Sequence, residues 1–436
     1  MHRKPSIRLS SPMFDILLKN TTAITLSEGE IPRRGEAMRE LGGVLNAYIG
    51  IDSVSGTISY LGVHEPGEIG DNCEVVDCER RLVLPGFVDP HTHLVFAGSR
   101  PNEFYLRAAG KTYLDISKSG GGIAASIKAN RDATMNELVL SGLRHTWEMA
   151  RCGTTTIEAK SGYGLSFEAE VKSLEAIREV SSLAPQEIVP TFLGAHAIPP
   201  EYLNRREEYL DLVRGPMMRE IASRKLAEFV DVFVEDGAFS LAEGRRVLES
   251  AKCSGLGIRI HADEFTNMGV AALGVEFGAA SVDHLGAIGE SGITALADSD
   301  TVAILMPGTI FFVGSDGYAP ARRLIDSGAA VALATDLNPG SSMIFSMPLV
   351  MTLAALKMRM TAEECITAAT VNAAYSLGRA HRKGTLAPGK DADLIIFDVS
   401  DPAEIPYRMG QDIVSDVMIG GRWIKRNHTM LWRPQF

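Results

Sequence analysis

Two hydrophobic patterns divide this chain. From residue 14 to residue 84, short apolar runs such as FDILLKN (14–20), NAYIGIDSVSGTISYLGV (46–63) and CEVVDCERRLVLPG (73–86) are punctuated by Gly and Asp-Ser turns, as hairpins require. The same pattern returns in GTLAPGKDADLIIFDV (384–399) and VSDVMIGGRWIKRN (414–427). The simplest arrangement is one small β-sandwich built from both termini, 1–84 and 384–436, with 85–383 inserted between them.

The inserted part alternates near-continuous Val/Ile/Leu runs with amphipathic stretches. Candidate strands are LPGFVDPHTH (84–93), TTTIEA (154–159), IVPTFLGAH (188–196), VDVFVE (230–235), GIRIHADE (257–264), AASVDHL (279–285), VAILMPG (302–308) and AVALATDLNPG (330–340). Between them lie helical stretches such as 134–153, 166–182, 240–255 and 266–278, several ending in Gly as helix C-termini often do. Runs of this kind are parallel strands buried on both faces, and eight βα units imply a closed α/β barrel. The 436 residues, 45% hydrophobic, accommodate one barrel and one smaller domain.

Composition narrows the partners. A formal charge of −11 without any large Lys/Arg cluster argues against nucleic acid or an anionic membrane and leaves a small molecule as the partner. Five cysteines, odd in number and mostly scattered, argue against a disulfide framework and for a reducing, cytoplasmic setting. Cys73 and Cys78 lack a second pair to complete a zinc site, so they read as ordinary thiols. The first twenty residues hold no continuous apolar core of a leader, and no apolar run reaches the length of a membrane span. The Gly120–Gly122 run lacks the strand context of a dinucleotide loop and reads as a loop over the barrel mouth. The 17 methionines are scattered, as core-filling residues are.

In such barrels chemistry sits at the C-terminal ends of the strands. Of ten histidines, five fall there: His91 and His93 on the first strand, His196 on the third, His261 on the fifth and His284 on the sixth, with Asp336 on the eighth. His2, His64, His145, His381 and His428 fall elsewhere and read as surface or helix residues. The alternation His91-Thr92-His93 aims two imidazoles to one side of an extended segment. With His261 and Asp336 they form a four-residue N/O shell suited to zinc, a similar divalent ion, or iron.

PGFVDPHTH resembles the first-strand metal motif of the amidohydrolase superfamily, and HAD, DHL and ATD match its later strand ends. HTHLVFAGSRPNEFYLRAAGKTY, GGGI, TTTIEAKSGYGL, VPTFLGAHAIPPEY, HADEF and ATDLNPGSS further resemble the branch that opens an imidazolone ring in histidine degradation, over nearly the whole chain. The resemblance implies a distorted (β/α)8, TIM-like barrel with a β-sandwich from both termini. It implies one Zn(2+) or Fe ion per chain, held by His91, His93, His261 and Asp336, and a homodimer. It makes Arg100, Tyr163, His196, Glu264, Asn338, Gly340 and Ser341 substrate contacts, and Glu264, His284 and Asp336 the catalytic groups.

The implied reaction is hydrolysis of the ring C–N amide bond of 4-imidazolone-5-propanoate to N-formimino-L-glutamate. Arg100 offers a planar fork for the propionate carboxylate. Glu264 either moves protons or orients His261. Lys160 belongs to an ion pair or faces the substrate rather than bridging two metals as a carbamate. Two other readings stay open at this stage: a heterocycle deaminase on the same scaffold, and a non-catalytic relative kept for oligomeric scaffolding.

Overall fold

The computed structural model describes residues 14–434 except 28, 30, 68 and 112–120. Its centre is an eight-stranded parallel sheet in sequence order: Phe87–Asp89, Thr154–Lys160, Glu187–Ala195, Phe229–Val234, Gly257–Ala262, Ser281–His284, Val302–Leu305 and Val331–Leu333. Each expected run overlaps one of these strands. Almost every strand residue is buried, because helices cover the outer face and side chains fill the interior.

Closure between the first and eighth strands is incomplete and local. At the mouth the backbone N–H of His93 donates to the carbonyl of Leu337 at 2.9 Å, and that of Asp336 to His91 at 3.1 Å. Deeper in, the ladder is replaced by a side chain: Asp89 accepts from Thr335 through its N–H at 3.1 Å and its hydroxyl at 2.6 Å. Burial pushes the Asp89 carboxyl up to about 7 against the opposing pull of those two bonds. This stitch is the distortion of the barrel.

The eighth strand ends at Leu333, well short of the expected 330–340 run. Asp336 adopts a left-handed backbone, φ 51°, and the Asn338 side chain folds the following residues into a turn, so the chain leaves the sheet early. Helices begin where a side chain satisfies their free N–H groups. Ser166 caps Phe167–Leu183, and full capping boxes, Thr134 with Glu137 and Ser240 with Glu243, open Met135–Arg151 and Leu241–Cys253. The 266–278 stretch becomes helical only over Val270–Phe277, since Asp263 accepts from the N–H groups of Val270 and Ala271 and fixes the start there.

A second, mixed sheet of nine strands joins the two ends of the chain. Leu82–Pro85 runs parallel to Ile16–Ile24 and antiparallel to Leu394–Phe397. Ile16, Leu18, Ala47, Ile49 and Ile51 pack with Leu394, Ile396 and Met418 in a core separate from that of the barrel. The first barrel strand starts two residues after this sheet, which anchors the His91–His93 segment from below.

No helix among the described residues is long and apolar enough to cross a membrane. All five cysteines are free thiols. Gly120 and the rest of 112–120 lie outside the described residues; just beyond, the N–H of Gly122 donates to Glu103 at 2.8 Å as Ile123–Asp132 begins.

Candidate active site

The strand-end residues converge at the barrel mouth. The His91 ring lies 5.8 Å from His93, 4.6 Å from His261 and 5.4 Å from His284, between centroids. Asp336 Oδ1 is 3.6 Å from His91 Nε2 and 3.7 Å from His93 Nε2. Donor atoms of His91, His93 and Asp336 cluster tightly enough for one ion, as do those of His91, His261 and His284. The two groups share His91, so His284 stands beside the expected ligands as well as beside the expected proton-transfer site. His284, Asp336 and Asp263 all have positive φ, 79°, 51° and 47°, a strain that proteins retain where the geometry is needed.

Two ring nitrogens of this cluster are buried without a hydrogen-bond partner. His91 Nδ1 is 2.6 Å from Asp283 Oδ2, which leaves its Nε2 buried and without a hydrogen bond, and His93 Nδ1 is likewise unpaired. His261 Nδ1 lies 3.0 Å from Asp231 Oδ1. An unsatisfied buried polar atom costs about 1–3 kcal/mol, so the unpaired His91 Nε2, 3.6 Å from Asp336 Oδ1, fits a cation bound at this cluster. Burial also holds His91, His93 and His284 well below the usual imidazole range, in the neutral form that ligates. Asp336 accepts from the Thr309 hydroxyl at 2.7 Å, and burial pushes its carboxyl up to about 6 against that bond.

Above this cluster, Tyr163, His93 and His196 form a triangle of rings 5.1–5.4 Å apart, with His196 stacked on His93. The loop carrying Tyr163 is shaped by Glu170, which is fully buried and accepts from the N–H groups of Gly162, Gly164 and Leu165. Gly162, at φ 111°, brings its carbonyl to 2.9 Å from His196 Nδ1, and a side chain there would strike Leu193 and that same ring. Burial pushes the His196 imidazole down to about 4.

Arg100, only 15% exposed in its side chain, precedes helix Pro101–Ala108 and lies against the loop after the eighth strand. A Cβ at Gly340 would fall 1.0 Å from an Arg100 nitrogen, so glycine is what lets the guanidinium lie there. Among the described residues it forms an ion pair with Glu103 at 3.7 Å, and its Nε is buried without a hydrogen-bond partner. Asn338 is differently engaged: its amide donates to the Asp336 carbonyl and the Ser341 hydroxyl, and its oxygen accepts from the N–H groups of Gly340 and Ser341. It builds the loop that presents Gly340 and Ser341. Glu264 lies 3.4 Å from His284 Nδ1, and burial holds its carboxyl well above the usual range, reinforced by Asp336 and Glu235.

Sequence reasoning missed the residues that hold this set: Asp231 and Asp283 behind the histidines, Thr309 on Asp336, Glu170 under the Tyr163 loop, and Glu235, which accepts from the N–H groups of Phe265 and Thr266 beside Glu264. The available signal was acidic residues inside apolar barrel strands, in VDVFVE and SVDHL. Lys160 is ion-paired as expected, 2.8 Å from Glu158 and 2.9 Å from Asp231. His145 lies on a helix, buried, 2.7 Å from the Leu94 carbonyl; His64, His381 and His428 are at the surface, and His2 is outside the described residues.

The sequence profile of the amidohydrolase family matches residues 82–424, from the strand entering the barrel through the last parallel strand and into the second sheet. The chain belongs to the amidohydrolase family. Among amidohydrolases it is 45% identical over 410 residues to the imidazolonepropionase of Symbiobacterium thermophilum, covering 92% of this chain and 95% of that protein. It is 47% identical over 392 residues to that of Geobacillus kaustophilus, covering 89% and 92%. Among solved amidohydrolase folds, the 5-methylcytosine deaminase of Klebsiella pneumoniae liganded with 5-fluorocytosine superposes with a TM-score of 0.73 at 16% identity, covering 96% of this chain and 99% of that one. The adenosine deaminase of Xanthomonas campestris with bound zinc gives 0.69 at 17% identity, covering 96% and 94%. At such identities these two establish the fold alone.

Proposed function

We infer that this amidohydrolase is an imidazolonepropionase. It adds water to the ring amide of 4-imidazolone-5-propanoate and breaks the C–N bond, giving N-formimino-L-glutamate in L-histidine degradation. The kinship with imidazolonepropionases over nine-tenths of the chain supports the reaction. One geometric observation carries the substrate class: Arg100, a nearly buried cation with an unpaired Nε and a loose ion pair to Glu103 at 3.7 Å, sits against Gly340 at the same mouth as the His/Asp cluster. An anionic substrate in a protein of net charge −11 needs such a local cation.

His91, His93, His261 and Asp336 would hold one zinc or iron ion per chain. When bound, that ion supplies Lewis acidity toward the ring carbonyl and toward the water that attacks it. Arg100 grips the propionate, while Tyr163, His196, Gly340 and Ser341 enclose the ring and fix it over the cluster. Oxygen from water joins the carbonyl carbon, the C–N electron pair leaves with nitrogen, and a proton moves from the water to that nitrogen. Glu264, with its raised affinity for a proton and its contact to His284, is placed to carry it, and Asp336 borders the same atoms. We further propose residues 85–383 as the catalytic unit, 1–84 with 384–436 as its β-sandwich companion, a homodimer, and a cytoplasmic location.

Arg100→Met tests the anion site. The grip on a carboxylate exists equally in ground and transition states, so KM should rise with kcat nearly unchanged. A lost charge-assisted bond of at least ~1.5 kcal/mol corresponds to roughly tenfold or more in KM. Unchanged steady-state kinetics would move the carboxylate elsewhere at the mouth, toward Tyr163 or His196.

A further inference from the structure

Lys160 is fully buried beneath the mouth, and its ammonium touches three carboxylates, each of which reaches a different part of the proposed ligand set. Asp231 lies 2.9 Å away through one oxygen, while its other oxygen accepts from the His261 N–H at 3.1 Å and sits 3.0 Å from His261 Nδ1. Asp283 Oδ2 is 3.8 Å away and is the same atom that meets His91 Nδ1 at 2.6 Å. Glu158, at 2.8 Å, accepts through its second oxygen from the N–H of Thr92 at 3.1 Å, the residue between the two first-strand histidines. The backbone repeats the link: the N–H of Lys160 donates to the Thr92 carbonyl at 2.9 Å.

We propose that Lys160 is a positioning residue that fixes the metal ligands from below, one ammonium acting as the shared strut for the carboxylates that orient His91, His261 and the Thr92 backbone. Arg259 completes the layer but is anchored elsewhere: it donates to the carbonyls of Pro90 and Ser376, and stands 3.9 Å from Glu158 and from Asp283. Among the described residues Arg259 makes no ion pair or hydrogen bond with Asp231, so the orientation of His261 rests on Lys160.

Two effects oppose each other when the ammonium is removed. Counting charge alone, losing a cation below the site leaves it more negative and tightens cation binding. Losing the strut frees the carboxylates to turn away from their imidazoles, which scatters the donor nitrogens and weakens binding. Orienting partners of ligating histidines typically account for about 10–100-fold in metal affinity, and a freed ligand set forfeits that directly. The positioning effect therefore wins, and the sign of the change decides between the two.

This inference rests on the metal-site reading above, so the wild-type protein and His93→Ala are carried as controls. The apo proteins are titrated with Zn(2+) against a competing chelator, and with Co(2+) followed by its visible absorption, a signature of coordination geometry independent of turnover. Lys160→Met should bind Zn(2+) at least about tenfold more weakly than wild type and give an altered Co(2+) spectrum while its far-ultraviolet circular dichroism stays native. Asp231→Asn should weaken binding too, and the Lys160→Met/Asp231→Asn double variant should lose less than the two single losses combined, because both act through one strut.

Wild-type affinity in Lys160→Met, tighter binding, or additive losses would overturn the proposal. So would failure of both Lys160→Met and Lys160→Gln to fold, which would assign the lysine to barrel stability. If wild type itself binds no metal, the underlying site reading fails instead, and the controls tell the two failures apart.

Discussion

His93→Ala should yield a folded protein that neither retains metal nor turns over substrate. The ring of His93 makes contacts with Tyr163 and His196 and approaches Asp336 at 3.7 Å, but among the described residues no hydrogen bond of its side chain holds the barrel together. Its loss opens polar space at the mouth, where water can enter, and leaves the apolar layers below intact. One of the four proposed donors is then gone, and the remaining three would hold an ion far more weakly. Metal analysis after gel filtration should fall from close to one ion per chain to near none, with native circular dichroism and activity reduced to background. A variant that keeps full metal and full rate would remove His93 from the ligand set, and two ions per wild-type chain would contradict the single-ion reading.

Glu264→Gln should leave metal content and substrate binding near wild type and lower kcat by about 10²-fold or more, the usual scale for a lost acid/base group. The rival role, orienting His261, is already filled: Asp231 meets His261 Nδ1 at 3.0 Å, whereas Glu264 faces His284 at 3.4 Å. Glutamine preserves the shape and the contact with His284 but cannot accept and return a proton. Burial keeps the native carboxyl well above the usual range, which raises its affinity for a proton over that of an exposed glutamate. Recovery of full kcat in excess metal would rule out the proton-transfer role and leave His284 to carry it.

The barrel is legible in the sequence because burial on both faces writes its strands as dense Val/Ile/Leu runs, and the helices because Ser166, Ser240 and Thr134 mark their starts. What is hidden is set by distance along the chain. Asp283 serves His91 across 192 residues and Asp231 serves His261 across 30, so no local spacing couples them. Asp89 and Thr335, which replace the ladder between the first and last strands, are 246 residues apart. The early end of the eighth strand follows from a left-handed Asp336 and an inward-folded Asn338, and the apolar pattern up to Leu333 carries no warning of either. The hydrogen bonds of Asn338, a residue expected to contact substrate, lie within its own loop, a role the sequence does not display.

The most direct test of the central claim is product analysis. Purified, metal-loaded protein is incubated with 4-imidazolone-5-propanoate, and the mixture is followed by loss of the ring's ultraviolet absorption and by mass spectrometry. Hydrolysis of the ring amide predicts one water added, N-formimino-L-glutamate as the sole product, and no ammonia. An intact imidazolone ring after prolonged incubation, together with ammonia release from an amino-substituted purine or pyrimidine, would contradict it and place the chain among the deaminases of the fold.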